Sequence, residues 1–561
     1  MTRKALFANA RIARDHGSDS AHGHGSPATC MAVRGSTIVH IGNETDPEIA
    51  QFLRHGSVDR TDLGGHLVMP AFVDAHIHLL QLGISLTKVD VRDATTLEQV
   101  CDIVRTTAAA KPDDERLLFR GWRHGVTGHG GDIAAALDAI DSRPIYLDSD
   151  DLHAAWCSTS AIKEMGLTDA PDPEGGKIHR DKKTGRATGL LEEAAVLGIV
   201  WPFLGNILSR NQKLDCIRSA ASEHNKLGYT AVIDMAMDEA YWELLKDLHA
   251  EGELSVRVAA HFLVMPDGDH DELRSRVTHV ADLHKKFNLT SSPDLRVAGI
   301  KIICDGVVDG CTAAISTPYL TTGEFVQPVW TAEKLQVVLN AADAAGLQCA
   351  LHAIGDEAVT MAVDGLETLP SRNRRHRIEH LELTRPQDAR RLGELGITAS
   401  VQPVHCDPSD VNNIWPSLVG HELCSRAFAY GEFHNHGAPM AIGTDAPTAP
   451  TPPWNNAFNA TTRRSFRKPD FTGNGAEINP EFAMKLSDTL KAMSYGGAYS
   501  CFGEGVFGSL EKGKKADFIV IEGKTEDWEQ DPVSLLSSRA LSTWLGGVQV
   551  SGDHKRGESV R

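Results

Sequence analysis

Residues 67–80 read LVMPAFVDAHIHLL, and this stretch decides the fold class. An apolar run of strand length ends in two histidines, His76 and His78. Because side chains alternate along a strand, both imidazoles point the same way and are suited to hold one divalent ion. An HxH pair alone is a weak signal, but its place at the end of an apolar run is typical of an active site on a barrel strand.

From Leu67 onward, most apolar runs are followed by helical segments. Strands that alternate with helices predict a parallel sheet, and this number of repeats favours a closed (β/α)8 barrel. Nine candidates compete for eight strand positions: LVMPAFVDAH, RPIYLD, YTAVIDMA, LSVRVAAHFLV, LRVAGIKIIC, GLQCALHAIG, HRIEHLEL, GITASVQP and PMAIGTDAP. RPIYLD is the weakest because it lies within a long insertion.

Two regions interrupt or flank the barrel pattern. Residues 95–215 are too long for an ordinary βα connection, which predicts an insertion that acts as a lid or shapes the substrate pocket. Residues 1–66 and 500–561 carry short β-type runs. We expect these termini to pair as one discontinuous β-sandwich domain beside a barrel of residues 67–499.

The composition excludes several classes of function. The 561 residues include 75 acidic and 56 basic side chains, and the net charge of −19 would repel nucleic acid or an anionic membrane. The ten cysteines form no CxxC pair, which favours reduced thiols over disulfides or a zinc ribbon. The N-terminus lacks a signal-peptide pattern, and no apolar run approaches the about 20 residues of a membrane span. We expect a cytoplasmic protein, with a homodimer as the default assembly.

Three more candidate metal ligands end apolar runs. His352 ends GLQCALH, His380 ends HRIEH and Asp445 ends PMAIGTD. Each of them alone is as readily a structural residue whose polar atoms pair with the backbone. Four strands with such ends are harder to explain in that way, because unpaired polar groups are costly to bury. The set therefore predicts a metal centre at the C-terminal end of the barrel.

Lys301 lies in the apolar strand VAGIKIICDG, where a charged ammonium is costly. Its stem could carry the charge out to solvent. Alternatively, a lysine that is neutral in its pocket can react with carbon dioxide and form a carbamate. A carbamate is an anionic ligand with two oxygens and could bridge two metal ions. The residues leave both interpretations open.

The ordered set of HxH, lysine, two histidines and aspartate resembles the amidohydrolase superfamily. LGGHLVMPAFVDAHIHL resembles its strand-one signature, and GSLEKGKKADFIVIEG resembles its C-terminal return into the β domain. IKIICDG, LHAIGDEAV, HRIEHLEL, SVQPVH and LDSDDLHAAWCSTSAIKEMGL are similar to a branch with a long insertion, which includes N-substituted formamide deformylases. Two positions depart from the pattern, because Ala71 and Leu152 stand where glycine is usual.

The resemblance implies a binuclear centre of zinc, with manganese as the alternative metal. His76, His78 and Asp445 would hold the first ion, His352 and His380 would hold the second, and carboxylated Lys301 would bridge them. Asp445 would also take a proton from the water as general base and pass it to the leaving group. Glu379 precedes His380 and faces the opposite way on a regular strand, so we predict no catalytic role for it.

Candidates for the substrate pocket are Trp122, His153 and Trp156 in the insertion and Gln402 in SVQPVH. A core position for the aromatic residues of the insertion is the simpler alternative. The resemblance implies a small-molecule substrate. Specificity in barrels lies in loops, so we expect much of it to lie in residues 95–215.

We predict a metal-dependent hydrolase that cleaves an amide-type C–N bond, such as an N-formyl, N-acyl or cyclic amide. The alternatives are a deaminase or an esterase of the same fold, or a non-catalytic binding scaffold. A one-metal deaminase fits less well. Asp356 and Glu357 follow His352 by four and five residues in the sequence, which is not the usual spacing of a proton shuttle, and Lys301 would have no purpose. A complete ligand set argues against the scaffold.

Overall fold

The computed structural model describes residues 2–13, 28–54, 56–122, 133–150, 152, 154–173, 176–193, 195–473, 475–522 and 525–552. The chain divides into two compact units. The first unit comprises residues 1–78, 221–446 and 450–561, and the second comprises residues 79–220 and 447–449. No helix among the described residues is both long and apolar enough to cross a membrane.

Eight parallel strands of the first unit form the barrel, and each pairs with the next in chain order. Barrel strands one to eight are Phe72–Ile77, Tyr229–Met237, Arg257–Leu263, Leu295–Ile303, Gln348–Ala353, Arg377–His380, Thr398–Val401 and Met440–Ile442. Strand eight returns to strand one through Asp445 N–H, which donates to His76 O at 2.7 Å, and His78 N–H, which donates to Ala446 O at 3.0 Å. The predicted (β/α)8 barrel is confirmed.

Several helices begin and end where the sequence supplies caps. Thr331, for example, accepts a hydrogen bond from Lys334 N–H at the start of Ala332–Ala345, and Gly346 ends that helix with a φ of 80°. The α-helices are Pro47–Leu53, Leu79–Leu86, Leu97–Ala110, Ile133–Asp138, Thr159–Glu164, Trp201–Ile207, Arg210–Leu227, Glu239–Glu251, His270–Lys286, Ala332–Ala345, Asp356–Glu367, Pro386–Leu395, Pro408–Cys424, Tyr430–Asn435, Pro453–Thr462, Leu486–Lys491, Gly497–Ser500 and Thr525–Gln530. Short 3₁₀ or π segments are Val196–Val200, Pro403–His405, Pro480–Phe482, Ala492–Gly496 and Pro532–Ser537.

Strands from both ends of the chain form two further sheets in the first unit. One sheet has the order Thr37–Gly42, Cys30–Arg34, Lys4–Ala8 and Asp59–Asp62; the other has the order Arg11–Ile12, Leu67–Pro70, Phe518–Ile521, Ala540–Leu545 and Val548–Gly552. Phe518–Ile521 pairs antiparallel with Leu67–Pro70, so the C-terminal part of the chain returns to the N-terminal strands. Phe7, Phe518 and Trp544 pack in the core of these sheets, with ring centroids 4.9–5.5 Å apart.

The second unit contains a six-stranded sheet in the order Gly176–Arg180, Ala187–Glu193, Ala154–Cys157, Ile145–Ser149, Leu117–Trp122 and Val89–Asp90. RPIYLD contributes Ile145–Ser149 to this sheet, which explains why it was one candidate too many for the barrel. Leu152 has a φ of 64°, a left-handed conformation that glycine adopts without strain. This explains why glycine is usual at that position.

Several small side chains belong to the apolar core of the barrel strands. These are Ala75, Ala231, Ala259, Ala350 and Ala441, and they pack together with larger residues such as Met235 and Phe507. Gly443 follows strand eight, and a Cβ placed there would lie 2.3 Å from the backbone nitrogen of His76. Strand eight therefore approaches the HxH segment closely only because residue 443 is glycine.

We expect Gly443→Ala to lower the thermal midpoint and to weaken metal binding, because the added methyl group must push strands one and eight apart. The cost of such overpacking is about 1–3 kcal/mol. Gly505→Ala is the matched control, since a Cβ at residue 505 would meet no heavy atom within 4 Å. Calorimetry and metal analysis of both variants check the prediction, and an unchanged midpoint for Gly443→Ala would contradict it.

Candidate metal centre

The two histidines of the HxH pair are held by their Nδ1 atoms. His76 Nδ1 lies 2.7 Å from Glu379 Oε2, and His78 Nδ1 lies 3.0 Å from the Met235 carbonyl oxygen. Both partners are acceptors, so each Nδ1 carries the proton and each Nε2 presents a lone pair. The surrounding strands therefore fix the tautomer that binds a metal ion through Nε2.

Asp445 completes a set of three ligand atoms. Its Oδ1 lies 3.4 Å from His76 Nε2 and 3.2 Å from His78 Nε2. In a tetrahedral site with metal–ligand bonds of about 2.0–2.2 Å, neighbouring ligand atoms are about 3.3–3.6 Å apart. These three residues form a group of metal-competent ligands within 4.8 Å of one another. Their spacing and their two-nitrogen, one-oxygen donor set fit a divalent transition metal.

Glu379 is closer to the centre than strand alternation predicts. His380 has a φ of 77° and Leu381 a φ of 54°, so the regular strand ends at this point. Glu379 can thus bond to His76 while the ring of His380 packs 4.9 Å from the ring of His76. The expectation that Glu379 faces away from the site is wrong, because it assumed that His380 reaches the centre from a regular strand, whereas His380 has a positive φ and Glu379 shares the inner face with Arg377.

Arg377 supports Glu379 from the same strand. Its Nε donates to Glu379 Oε1 at 2.5 Å, and its Nη2 donates to Ser400 Oγ at 2.6 Å and to the Ala75 carbonyl at 2.5 Å. Burial alone would raise the pKa of Glu379, but the Arg377 guanidinium holds that pKa well below its usual range. Glu379 therefore remains an anion that positions His76.

His352 and His380 lie beside each other, with ring centroids 4.4 Å apart. His380 Nδ1 is buried and has no hydrogen-bond partner in the part of the chain that the structure describes. His352 Nε2 lies 3.3 Å from the Gly306 carbonyl and 3.6 Å from Asp305 Oδ1. Asp305 in turn accepts hydrogen bonds from the backbone N–H groups of the loop after strand five, Ile354 at 3.0 Å and Gly355 at 2.8 Å.

Burial keeps most of these imidazoles neutral. It lowers the pKa of His76 to about 4 and that of His352 to about 3, and it lowers the pKa of His380 well below the usual value. His78 differs, because the Asp445 carboxylate outweighs burial and raises its pKa. Only a neutral imidazole offers a lone pair, so a buried neutral set suits metal binding.

Lys301 lies on barrel strand four and is 2% exposed. Burial lowers its pKa to about 8, although the nearby carboxylates of Glu379 and Asp445 act in the opposite direction. The side chain is therefore not carried to solvent. Its ammonium is easier to deprotonate than an exposed one, which is the condition for carboxylation.

A second group of metal-competent residues consists of His380, Glu382 and His405, whose ligand atoms also lie within 4.8 Å of one another. His405 Nδ1 lies 3.3 Å from Glu382 Oε1, and His405 Nε2 lies 3.9 Å from Asp445 Oδ2. Reasoning from the sequence assigned no role to Glu382 or His405. HRIEHLEL and SVQPVH contain both residues, but neither of them ends an apolar run.

The candidates for a substrate pocket lie in different surroundings. Trp122 and Trp156 stack with centroids 4.0 Å apart, and each is 1% exposed in a core cluster of the second unit. His153 lies outside the described residues. Gln402 follows barrel strand seven and is 1% exposed. Contact of these residues with a substrate stays a prediction.

Comparison with known proteins places these features in a family. A model described as the amidohydrolase family, Amidohydro_3, matches residues 60–551. The chain is 28% identical over 540 residues to Protein LONG AFTER FAR-RED 3 of Arabidopsis thaliana, and the match covers 93% of this chain and 88% of that protein. It is 22% identical over 559 residues to the N-substituted formamide deformylase of Arthrobacter pascens, and the match covers 93% of this chain and 95% of that protein. The crystal structure of an uncharacterized metal-dependent hydrolase from Pyrococcus horikoshii matches with a TM-score of 0.73 and 25% identity, covering 93% of this chain and 98% of that chain.

We expect Glu379→Gln to lower the affinity for zinc by about 10–100-fold, the usual effect of removing a carboxylate behind a metal-binding histidine. The variant also leaves the buried Arg377 without its counter-ion. Glu394→Gln is the control, because Glu394 forms an exposed ion pair with Arg390. Competition with a chelator measures the affinities, and equal affinities in the two variants would contradict the positioning role of Glu379.

Proposed function

The chain belongs to the amidohydrolase family and is a metal-dependent hydrolase, and we propose that it hydrolyses an amide-type carbon–nitrogen bond of a small molecule. The observation that carries the proposal is the position of Asp445. One of its oxygens faces the Nε2 atoms of His76 and His78, and the other lies 3.9 Å from His405 Nε2. The Asp445 carboxylate thus lies between the His76–His78 pair and His405. The N-substituted formamide deformylase, a more distant relative, adds support for a C–N bond.

We propose two divalent ions, with zinc as the first expectation and manganese as the alternative. His76, His78 and Asp445 would hold one ion, His352 and His380 would hold the other, and carboxylated Lys301 would bridge them. Metal ions bound here would acidify water and polarise the scissile carbonyl group. The spacing around Asp445 and the unpartnered Nδ1 of buried His380 support this assignment.

The carbamate would form from the neutral amine of Lys301. Its nitrogen would attack the carbon of carbon dioxide, so that a C–N bond forms while one C=O π bond opens onto oxygen, and water would take the proton that the nitrogen loses to leave the carbamate anion. A pKa of about 8 leaves a useful neutral fraction of this amine near neutral pH. An ordinary lysine with a pKa near 10.4 would have much less.

Asp445 would move the proton of the reaction. Burial alone would raise the pKa of Asp445, but His76 and His78 hold that pKa well below its usual range, so the carboxylate is ionised, as a proton acceptor must be. It takes one proton from water as the hydroxyl group adds to the acyl carbon, and it gives that proton to the nitrogen as the C–N bond breaks. The products are a carboxylic acid and an amine.

His380, Glu382 and His405 provide another possible set of ligands for the second ion. This set would not use Lys301 and would bring in two residues from the segments that follow strands six and seven. With the Lys301 bridge, substitution of Lys301 should remove the second metal ion; with the alternative set, substitution of Glu382 should remove it. A test therefore needs both substitutions.

We expect Lys301→Ala to bind about one zinc ion less per chain than wild type and to lose most of its activity, since the bridge is gone. Added formate or acetate should partly restore the metal content and the activity by supplying the missing carboxylate.

Glu382→Ala distinguishes the two ligand sets. It should keep two ions, whereas it should lose one if the alternative set is correct. Metal analysis and hydrolysis of acetanilide, formanilide and glutarimide check this, with exposed Lys226→Ala as the control.

We expect Asp445→Asn to hydrolyse about 10²–10⁴-fold more slowly, the usual effect of removing a general acid–base group. The amide oxygen of asparagine can still act as a ligand, so the variant should keep bound metal. Turnover rates with metal content measured on the same samples test the role. A variant that keeps its metal and its full rate would show that Asp445 is not the base.

A further inference from the structure

Gln402 differs from other buried polar side chains near the barrel. It is 1% exposed, and neither its Oε1 nor its Nε2 has a hydrogen-bond partner among the described residues. Gln348 is also 1% exposed, but its Oε1 contacts His261 Nε2 at 2.9 Å and its Nε2 donates to the Ser500 carbonyl at 2.8 Å. A buried carboxamide without partners destabilises the fold, so such a group calls for a ligand that pairs with it.

The backbone directs Gln402 toward the candidate centre. Ser400, two residues earlier, faces Arg377 in the interior, and it is level with Glu379 in the strand register. Gln402 directly follows the strand Thr398–Val401, with φ −125° and ψ 86°. Because alternate residues of a strand share a face, we place its side chain on the face of Ser400. Gln402 is therefore one inward position closer to the C-terminal end of the barrel than Ser400.

The turn that carries Gln402 is fixed by its neighbours. The Gln402 carbonyl accepts hydrogen bonds from His405 N–H at 2.9 Å and from the Tyr430 hydroxyl at 3.4 Å. Asn456 Oδ1 accepts from Val404 N–H at 2.9 Å, and Asn459 Nδ2 donates to the Pro403 carbonyl at 3.1 Å. The unpartnered carboxamide thus belongs to a well-anchored segment.

We propose that Gln402 binds an amide group of the substrate through two hydrogen bonds. Its Nε2 donates to the substrate carbonyl oxygen, and its Oε1 accepts from the substrate N–H group. The oxygen and nitrogen of a carboxamide lie on one edge, so the matching amide has its C=O and N–H on the same side. Primary amides, lactams and cyclic imides meet this condition, and an open-chain trans amide or an ester does not. This inference rests on the proposed amide hydrolysis and selects among its possible substrates.

The kinetic test uses the zinc-loaded protein with glutarimide and N-methylglutarimide, which differ only in the N–H group. We expect Gln402→Met to lower kcat/KM for glutarimide by about 10–100-fold, the range for losing hydrogen bonds in a buried site. The same variant should lower kcat/KM for N-methylglutarimide by a several-fold smaller factor, because only the carbonyl oxygen of that imide can pair with Gln402. Equal losses on both imides would overturn the inference.

A stability test does not depend on turnover. Without substrate, Gln402→Met should raise the thermal midpoint, because it removes two buried polar atoms that have no partner. Gln348→Met is the matched control and should lower the midpoint, because it leaves His261 and the Ser500 carbonyl without their partner. A lower midpoint for Gln402→Met would mean that the fold itself uses the carboxamide, and would overturn the inference.

Ligand binding separates this inference from the proposed function. Glutarimide should raise the thermal midpoint of wild type more than N-methylglutarimide does, and this difference should vanish in Gln402→Met. If wild type hydrolyses neither an imide nor acetanilide or formanilide, the proposed amide hydrolysis is wrong, while the binding difference would still support the contact with Gln402. If amides are hydrolysed but wild type binds both imides equally, the contact with Gln402 is wrong.

Discussion

The hydrogen bond between Glu379 and His76 is the interaction on which the centre depends. Both side chains are almost completely inaccessible to solvent, and Arg377 joins them with bonds to strands one, six and seven. Burying these charges is costly, and a well-packed apolar set could fill the same space at a lower cost. The network fixes the tautomer and the orientation of His76, a candidate metal ligand.

Local backbone geometry brings the remaining ligands to this point. His380 and Asp445 both have left-handed φ angles, of 77° and 55°, where each chain segment leaves its barrel strand. Such conformations are unfavourable for residues other than glycine, and they cluster at functional sites. Gly443 permits the close approach of strand eight to His76. The positive φ of Asp445 and the missing side chain of Gly443 together let Asp445 lie beside the HxH pair.

Much of the fold and part of the site could be predicted from the sequence. The barrel follows from apolar runs alternating with helices, and the candidate ligands follow from polar residues that end those runs. Glu379 could not be assigned, because alternation fails where His380 turns to a positive φ. Glu382 and His405 lie beyond the ends of strands, where the sequence carries no periodic signal. The second unit was seen only as an insertion, since its sheet mixes parallel and antiparallel pairs and only RPIYLD was recognised as one of its strands.

The most direct test of the account is a crystal structure of the zinc-loaded protein with anomalous diffraction at the zinc absorption edge. The account predicts two anomalous peaks about 3.5–4 Å apart. One peak should lie among His76, His78 and Asp445, the other beside His352 and His380, with carbamate density on Lys301 between them. A single peak with an unmodified Lys301, or a second peak held by Glu382 and His405, would contradict the bridged binuclear centre.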